Sequence, residues 1–219
     1  EYARKRASDI DDDRTTPSAK VAPEIKLSDE KPSTTHYSVL DANGMAVSTT
    51  TTLEDSFGCR VVVRGSGFLL NNEMTDFNAV EGVTTGTGRI GTPANLIEPG
   101  KRPLSSMTPV IVVKDGKPVL ITGSPGGRTI INTVLLVVLN VLEFELSPTE
   151  AVKAPRFHQQ WFPDRVQAEA GLPTEGLTKR GHEVKRIGAQ GDAHTIGLDT
   201  KTGKMVAAPD HRRAGRPAE

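Results

Sequence analysis

A hydroxyl residue placed directly behind a charged, proline-bearing stretch and at the head of a strand-like run can attack the carbonyl that precedes it. The chain has one such junction, where Ser33 is followed by Thr34, Thr35, His36 and Tyr37. Attack there would break the Ser33–Thr34 bond and leave Thr34 as an N-terminal threonine, with its own α-amine available as base. On composition alone, the same threonines also read as residues that simply begin a strand. Taken by themselves, Glu73 and Asp76 are acids in the polar loop 71–76, of a kind that is more often solvated than functional. Residues 86–91 spell G-x-G-x-x-G, but that pattern binds a dinucleotide only between a strand and a helix, and both flanks here read as loop. The five histidines, His36, His158, His182, His194 and His211, never occur as H-x-x-x-H or H-x-H, so packing or surface roles suit them better than metal binding. One cysteine, Cys59, excludes an internal disulfide and any multi-cysteine zinc site. The short basic cluster His211-Arg212-Arg213 reads as a solvated end.

Composition limits what can hold these groups in place. The 27 basic and 27 acidic side chains cancel, so no net field recruits nucleic acid or anionic lipid. Of the 219 residues 36% are hydrophobic, enough for one sizeable domain, and with one Trp, two Tyr and six Phe its core must be mainly aliphatic. The longest apolar run, 130–142, is interrupted by Asn132, Thr133 and Asn140 and is shorter than the ~20 residues that cross a bilayer, so it reads as a buried helix. The sequence starts at Glu1 rather than Met, as a fragment or processed piece would. Missing targeting signals therefore say nothing about location.

Residues 1–33 carry many charges, three prolines and little apolar periodicity, the composition of a flexible arm that cannot offset its own ordering entropy. From Thr34 the character changes. Runs of β-formers at 36–40 and 46–53 meet at Asn43-Gly44, runs at 110–114 and 118–122 meet at Asp115-Gly116, and runs at 195–198 and 205–208 meet at Thr202-Gly203. Each dipeptide suits a tight turn, so three antiparallel hairpins are expected. Between them Gly126 and Gly127 lead into a helix over 129–144 that is apolar on nearly every face, as a helix covered on both sides would be. Ser147-Pro148-Thr149-Glu150 combines a capping box with proline at the first helical position, opening a short helix that stops before Pro155. A weaker helix over 174–180 ends at Gly181. Hairpins, then helices, then a hairpin make a layered α+β domain and not a βαβ repeat.

Six segments, TTHYSVLD, TTTLEDSFG, LLNNEMTDFN, GKRPLSSMTPVIV, DGKPVLITGSPGGRTI and APRFHQQW, recur in this order in γ-glutamyltransferases, and the sequence resembles that family from Thr34 to about Ala208. The resemblance implies an N-terminal-nucleophile hydrolase with an αββα sandwich, whose precursor cleaves itself between Ser33 and Thr34. Residues 34–219 would then be the small catalytic subunit and residues 1–33 the tail of a large subunit. By the same resemblance Thr34 is the nucleophile, taking a γ-glutamyl group as an ester and passing it to water or to an amino acid or peptide. Thr52 orients its hydroxyl. Gly126 and Gly127 form the oxyanion hole, a role their place before a helix suits. Glu73 and Asp76 bind the substrate ammonium, and Ser105 and Ser106 bind its carboxylate.

The implied partners are the large subunit of the same precursor, which carries a carboxylate-binding arginine, and glutathione or another γ-glutamyl compound. No metal, organic cofactor, nucleic acid or membrane contact is implied, and the family suggests a periplasmic or extracellular setting. One departure stands out: where family members usually have asparagine, this chain has Glu54, a third acid for the ammonium pocket. That residue keeps open a related amidase of the cephalosporin-acylase type. The reading from a different class is a truncated, non-catalytic paralogue, against which the intact Thr34, Thr52, Gly126 and Gly127 argue.

Overall fold

The computed structural model of the chain describes residues 4, 7, 10–17, 33–78, 80–82 and 91–213, with Ser33 described in its backbone only. Its first hairpin joins β1 (Ser33–Leu40) to β2 (Ala46–Glu54). The Asp41 carboxylate closes the connection by accepting the Asn43 and Met45 N–H groups, each at 2.8 Å. The register pairs Thr34 with Thr52, His36 with Thr50 and Ser38 with Ser48, and it breaks between Ser33 and Thr34. Side chains alternate across a strand, so these six residues share one face. That face is polar and turned inward: Ser38 Oγ donates to the His194 carbonyl at 2.8 Å and Ser48 Oγ to the Thr122 carbonyl at 3.0 Å. The outward face carries Tyr37, Val39 and Val47, all exposed.

The second expected hairpin is β3 (Val110–Lys114) and β4 (Lys117–Thr122). Asp115 and Gly116 both take positive φ, 50° and 75°, as the favoured two-residue hairpin turn requires. The third is β8 (Thr195–Asp199) with β9 (Lys204–Ala208), and β4 pairs antiparallel with β8 to make one sheet in the order β3-β4-β8-β9. The β1–β2 hairpin lies over β3, β4 and β8. Against the same sheet lie α1 (Thr129–Leu142), on β4, and α2 (Pro148–Lys153), on β8 and β9. Leu120, Ile121, Ile130, Val134, Val137, Ala151 and Val152 form the aliphatic core there.

The capping box at α2 forms as expected, with Glu150 N–H donating to Ser147 Oγ at 3.3 Å and Ser147 N–H to Glu150 Oε2 at 2.9 Å. Helix α1 buries one face only among the described residues. Ile131, Leu135, Leu139 and Leu142 on the other face are exposed, where covering on both sides was expected. No helix of the described residues is long and apolar enough to cross a membrane.

A small third sheet, β5 (Phe157–His158), β6 (Val166–Glu169) and β7 (Val184–Ile187), was not anticipated. Its β6–β7 pair is parallel, bridged by α3 (Glu175–Lys179), while the other strand pairs of the described residues are antiparallel. Residues 10–17 of the expected arm meet this unit: Thr15 N–H donates to the Arg180 carbonyl at 2.9 Å, and Arg180 Nε to the Asp12 carbonyl at 2.8 Å. Residues 83–90, most of the discounted glycine pattern, lie outside the described residues.

The basic end departs from expectation at Arg212, whose side chain is 4% exposed and paired with Glu169 and with Asp210 at 3.1 Å. Arg156, 2% exposed, pairs with the other Asp210 oxygen at 2.7 Å. Two cations and two anions thus neutralise one another inside the fold. Burial alone would raise the Asp210 carboxyl, but Arg156, the Ala193 and Arg212 N–H groups and the Arg212 charge hold it below the ordinary range.

Candidate active site

Strand register brings the first two candidates together. Thr34 Oγ1 donates to Thr52 Oγ1 at 3.1 Å, and Thr52 Oγ1 also accepts the Glu54 N–H at 2.9 Å. Thr52 therefore fixes the Thr34 hydroxyl on one side and the start of the acidic group on the other. Glu54 ends β2 with φ of 70°, a left-handed conformation that asparagine adopts more easily than glutamate.

The chain then leaves the hairpin and returns at Asn72, whose N–H donates to the Leu53 carbonyl at 3.1 Å. That return delivers the short 3₁₀ turn Glu73–Asp76 beside Glu54. One oxygen from each of Glu54, Glu73 and Asp76 lies within 4.8 Å of the other two. Glu73 is pushed up to about 7, first by burial, then by its hydrogen bond to Asp76 and the charges of Asp76 and Glu54. Its Oε1 is buried with no hydrogen-bond partner among the described residues, an acceptor suited to a cationic donor. Three carboxylates so placed could hold an ammonium group or a metal ion.

Gly126 and Gly127 turn the chain from β4 into α1 with φ of 139° and 55°. A Cβ on Gly126 would come within 2.5 Å of Thr129 Oγ1, so the turn has no room for a side chain there. Ser106 Oγ donates to the Gly127 carbonyl at 2.9 Å, tying the loop that carries the serine pair to this turn. Ser105 is exposed, and its Oγ accepts the Met107 N–H at 3.2 Å. The structure thus joins Thr34 to Thr52, groups Glu54 with Glu73 and Asp76, and links Ser106 to Gly127.

Sequence reasoning gave His36 only a packing or surface role. Its ring is 2% exposed, with Nδ1 at 2.8 Å from Thr50 Oγ1 and Nε2 at 3.1 Å from Ser38 Oγ. Burial, reinforced by the nearby His194, pushes it down to about 4, so it is neutral near pH 7. Its burial was legible only once the register placed it on the inward face of β1.

The sequence model of the Gamma-glutamyltranspeptidase family matches residues 1–219. The glutathione hydrolase proenzyme of Escherichia coli (strain K12) is 44% identical over 214 residues, which cover 96% of this chain and 37% of that protein. The chain therefore spans little more than a third of that relative. Among solved structures, an acivicin-inhibited gamma-glutamyltranspeptidase is 45% identical, with a TM-score of 0.75, covering 83% of this chain and 100% of that one. A cephalosporin acylase from Bacillus halodurans is 25% identical with a TM-score of 0.75, covering 98% of this chain and 37% of that one. These likenesses bear out the expected α+β fold of the N-terminal-nucleophile hydrolase type. With the family model matched from end to end, the chain belongs to the gamma-glutamyltranspeptidase family.

Proposed function

We propose that this chain supplies the catalytic part of an autoprocessed γ-glutamyltransferase or glutathione hydrolase, working with a large subunit from the same precursor. The observation that carries the reading is the Thr34–Thr52 hydroxyl pair at the strand break beside Ser33, in a chain of this family. In maturation, Thr34 Oγ1 adds to the Ser33 carbonyl, the C–N bond breaks to free the Thr34 amine, and water hydrolyses the resulting ester. The boundary between residues 1–33 and 34–219 is then the subunit boundary. In turnover the freed α-amine takes the hydroxyl proton as Thr34 attacks the γ-glutamyl carbonyl. The Gly126 and Gly127 N–H groups hold the oxyanion. The leaving amine departs with a proton, and water or an acceptor amine releases the acyl group.

Glu54, Glu73 and Asp76 receive the donor ammonium, and Ser105 and Ser106 its carboxylate. The exposed apolar faces of β1–β2 and α1 fit burial by the large subunit. A glutaryl-amide acylase is the second reading, favoured by the structural likeness to cephalosporin acylase. Kinetics with a γ-glutamyl anilide and its des-amino glutaryl analogue separate the two. Asp76→Ala raises the Michaelis constant for the amine-bearing donor ten- to a hundredfold, the ~1.5–3 kcal/mol of a charge-assisted hydrogen bond, and leaves the glutaryl analogue unchanged. An Asp76→Ala enzyme that keeps its full preference for the amine contradicts the ammonium site.

The pH dependence has a defined sign. Below about 7 Glu73 gains a proton and the cluster loses a negative charge, so capture of the ammonium weakens as pH falls. Glu54→Gln removes one charge that raises Glu73, and the acid limb of kcat/KM moves to lower pH while the chemical step changes little. An acid limb that stays in place excludes Glu54 from the cluster's titration.

A further inference from the structure

The nucleophile strand β1 and the strand β4 that leads to the Gly126–Gly127 turn belong to different sheets, so no ladder hydrogen bond sets the distance between Thr34 and the turn. His36 stands at their junction. An ideal Cβ built on Gly123 would lie 2.2 Å from His36 Cε1 and 2.4 Å from Nδ1, so the imidazole occupies the space a side chain there would need. Gly123 does not take positive φ, and its lack of a side chain serves this close approach and not a turn. Three residues further on the chain reaches Gly126.

The hydrogen bonds around the ring run in one direction. Ser38 Oγ spends its single hydrogen on a main-chain carbonyl, that of His194 at 2.8 Å, so it must accept from His36 Nε2–H. Nδ1 is then the acceptor for the Thr50 hydroxyl. Thr50 and Thr52 lie on the same face of β2, and Thr52 holds Thr34. The ring is thus fixed on both edges by the nucleophile hairpin and seated on the backbone that leads to the oxyanion turn.

Resting on the reading of Thr34 as nucleophile, we propose that His36 is a positioning residue: seated against Gly123, it sets the separation between the Thr34 hydroxyl and the Gly126 and Gly127 N–H groups. It neither touches substrate nor carries a proton in the reaction. A nucleophile and an oxyanion site displaced by about 1 Å lose on the order of a hundredfold in rate without losing the substrate.

The test uses the complete precursor with Gly123→Ala, His36→Ala, both together, and His36→Asn, which keeps an acceptor near Thr50. Wild-type enzyme is first checked for a γ-glutamyl ester on Thr34; its absence defeats the nucleophile reading itself. Given that ester, Gly123→Ala and His36→Ala each lower kcat by about a hundredfold with KM within about threefold of wild type. The double variant is no worse than the weaker single, because both changes break the same contact. His36→Asn recovers part of kcat and gives a second test should the alanine variants fold poorly. Wild-type kcat in Gly123→Ala, losses that multiply in the double variant, or His36→Asn no better than His36→Ala overturns the proposal.

Discussion

Thr34→Ala in the complete precursor leaves one uncleaved chain, where the unaltered precursor yields a fragment beginning at Thr34. The hydroxyl that Thr52 orients at 3.1 Å is the only group of that residue able to attack the Ser33 carbonyl. With Thr34→Ala at the head of a separately supplied small chain, acyl transfer falls by several orders of magnitude, because binding and oxyanion stabilisation remain but the covalent route is gone. Thr34→Ser retains part of both activities, since a primary hydroxyl attacks in the same way. Intact-mass analysis and single-turnover rates read the two effects separately. Cleavage at this bond in Thr34→Ala would remove the autocatalytic account.

Asp210→Ala destabilises the fold by about 3–5 kcal/mol, the cost of leaving a buried charge without its partner. Arg156 is 2% exposed and Asp210 fully buried, so water cannot replace the lost carboxylate. The damage spreads along the chain. Asp210 Oδ2 also accepts the Ala193 N–H at 2.7 Å, while Arg156 Nη1 donates to the Gln190 carbonyl at 2.8 Å. The loop so pinned reaches the segment leading to the Gly126–Gly127 turn through the Asp192 N–H, which donates to Ser124 Oγ at 2.9 Å. Because the folded Asp210 carboxyl sits below its unfolded value, its contribution is present above the unfolded value and lost as pH falls through the folded one. Thermal unfolding should register Asp210→Ala as a drop of about 10 °C for a domain of this size. A drop of only a degree or two means the cluster is not a structural clamp.

Turn chemistry made the three hairpins legible, because Gly44, Gly116 and Gly203 each take positive φ, a conformation glycine adopts most readily. The capping box of α2 was legible for a similar reason: its bonds span only Ser147 to Glu150. The parallel β6–β7 pair was not, since strands as short as VQAE and VKRI carry no periodicity that separates them from loop. Nor was the Arg156–Asp210 and Glu169–Arg212 network, whose ion pairs join residues far apart in sequence. At the site, the Thr34–Thr52 pairing follows from the hairpin register. The approach of Glu73 and Asp76 to Glu54 depends on how residues 55–72 leave and rejoin the hairpin, which no local pattern states.

Central to the account is a covalent ester on one hydroxyl, and peptide mass mapping of the acyl-enzyme tests it directly. The cleaved enzyme is mixed with a γ-glutamyl donor, quenched in acid and digested. The expected result is that the peptide beginning at Thr34 carries the mass of one γ-glutamyl group, released by hydroxylamine as an ester is. Donor consumed with the adduct on another residue, or with no adduct under conditions that trap an ester, would contradict the account.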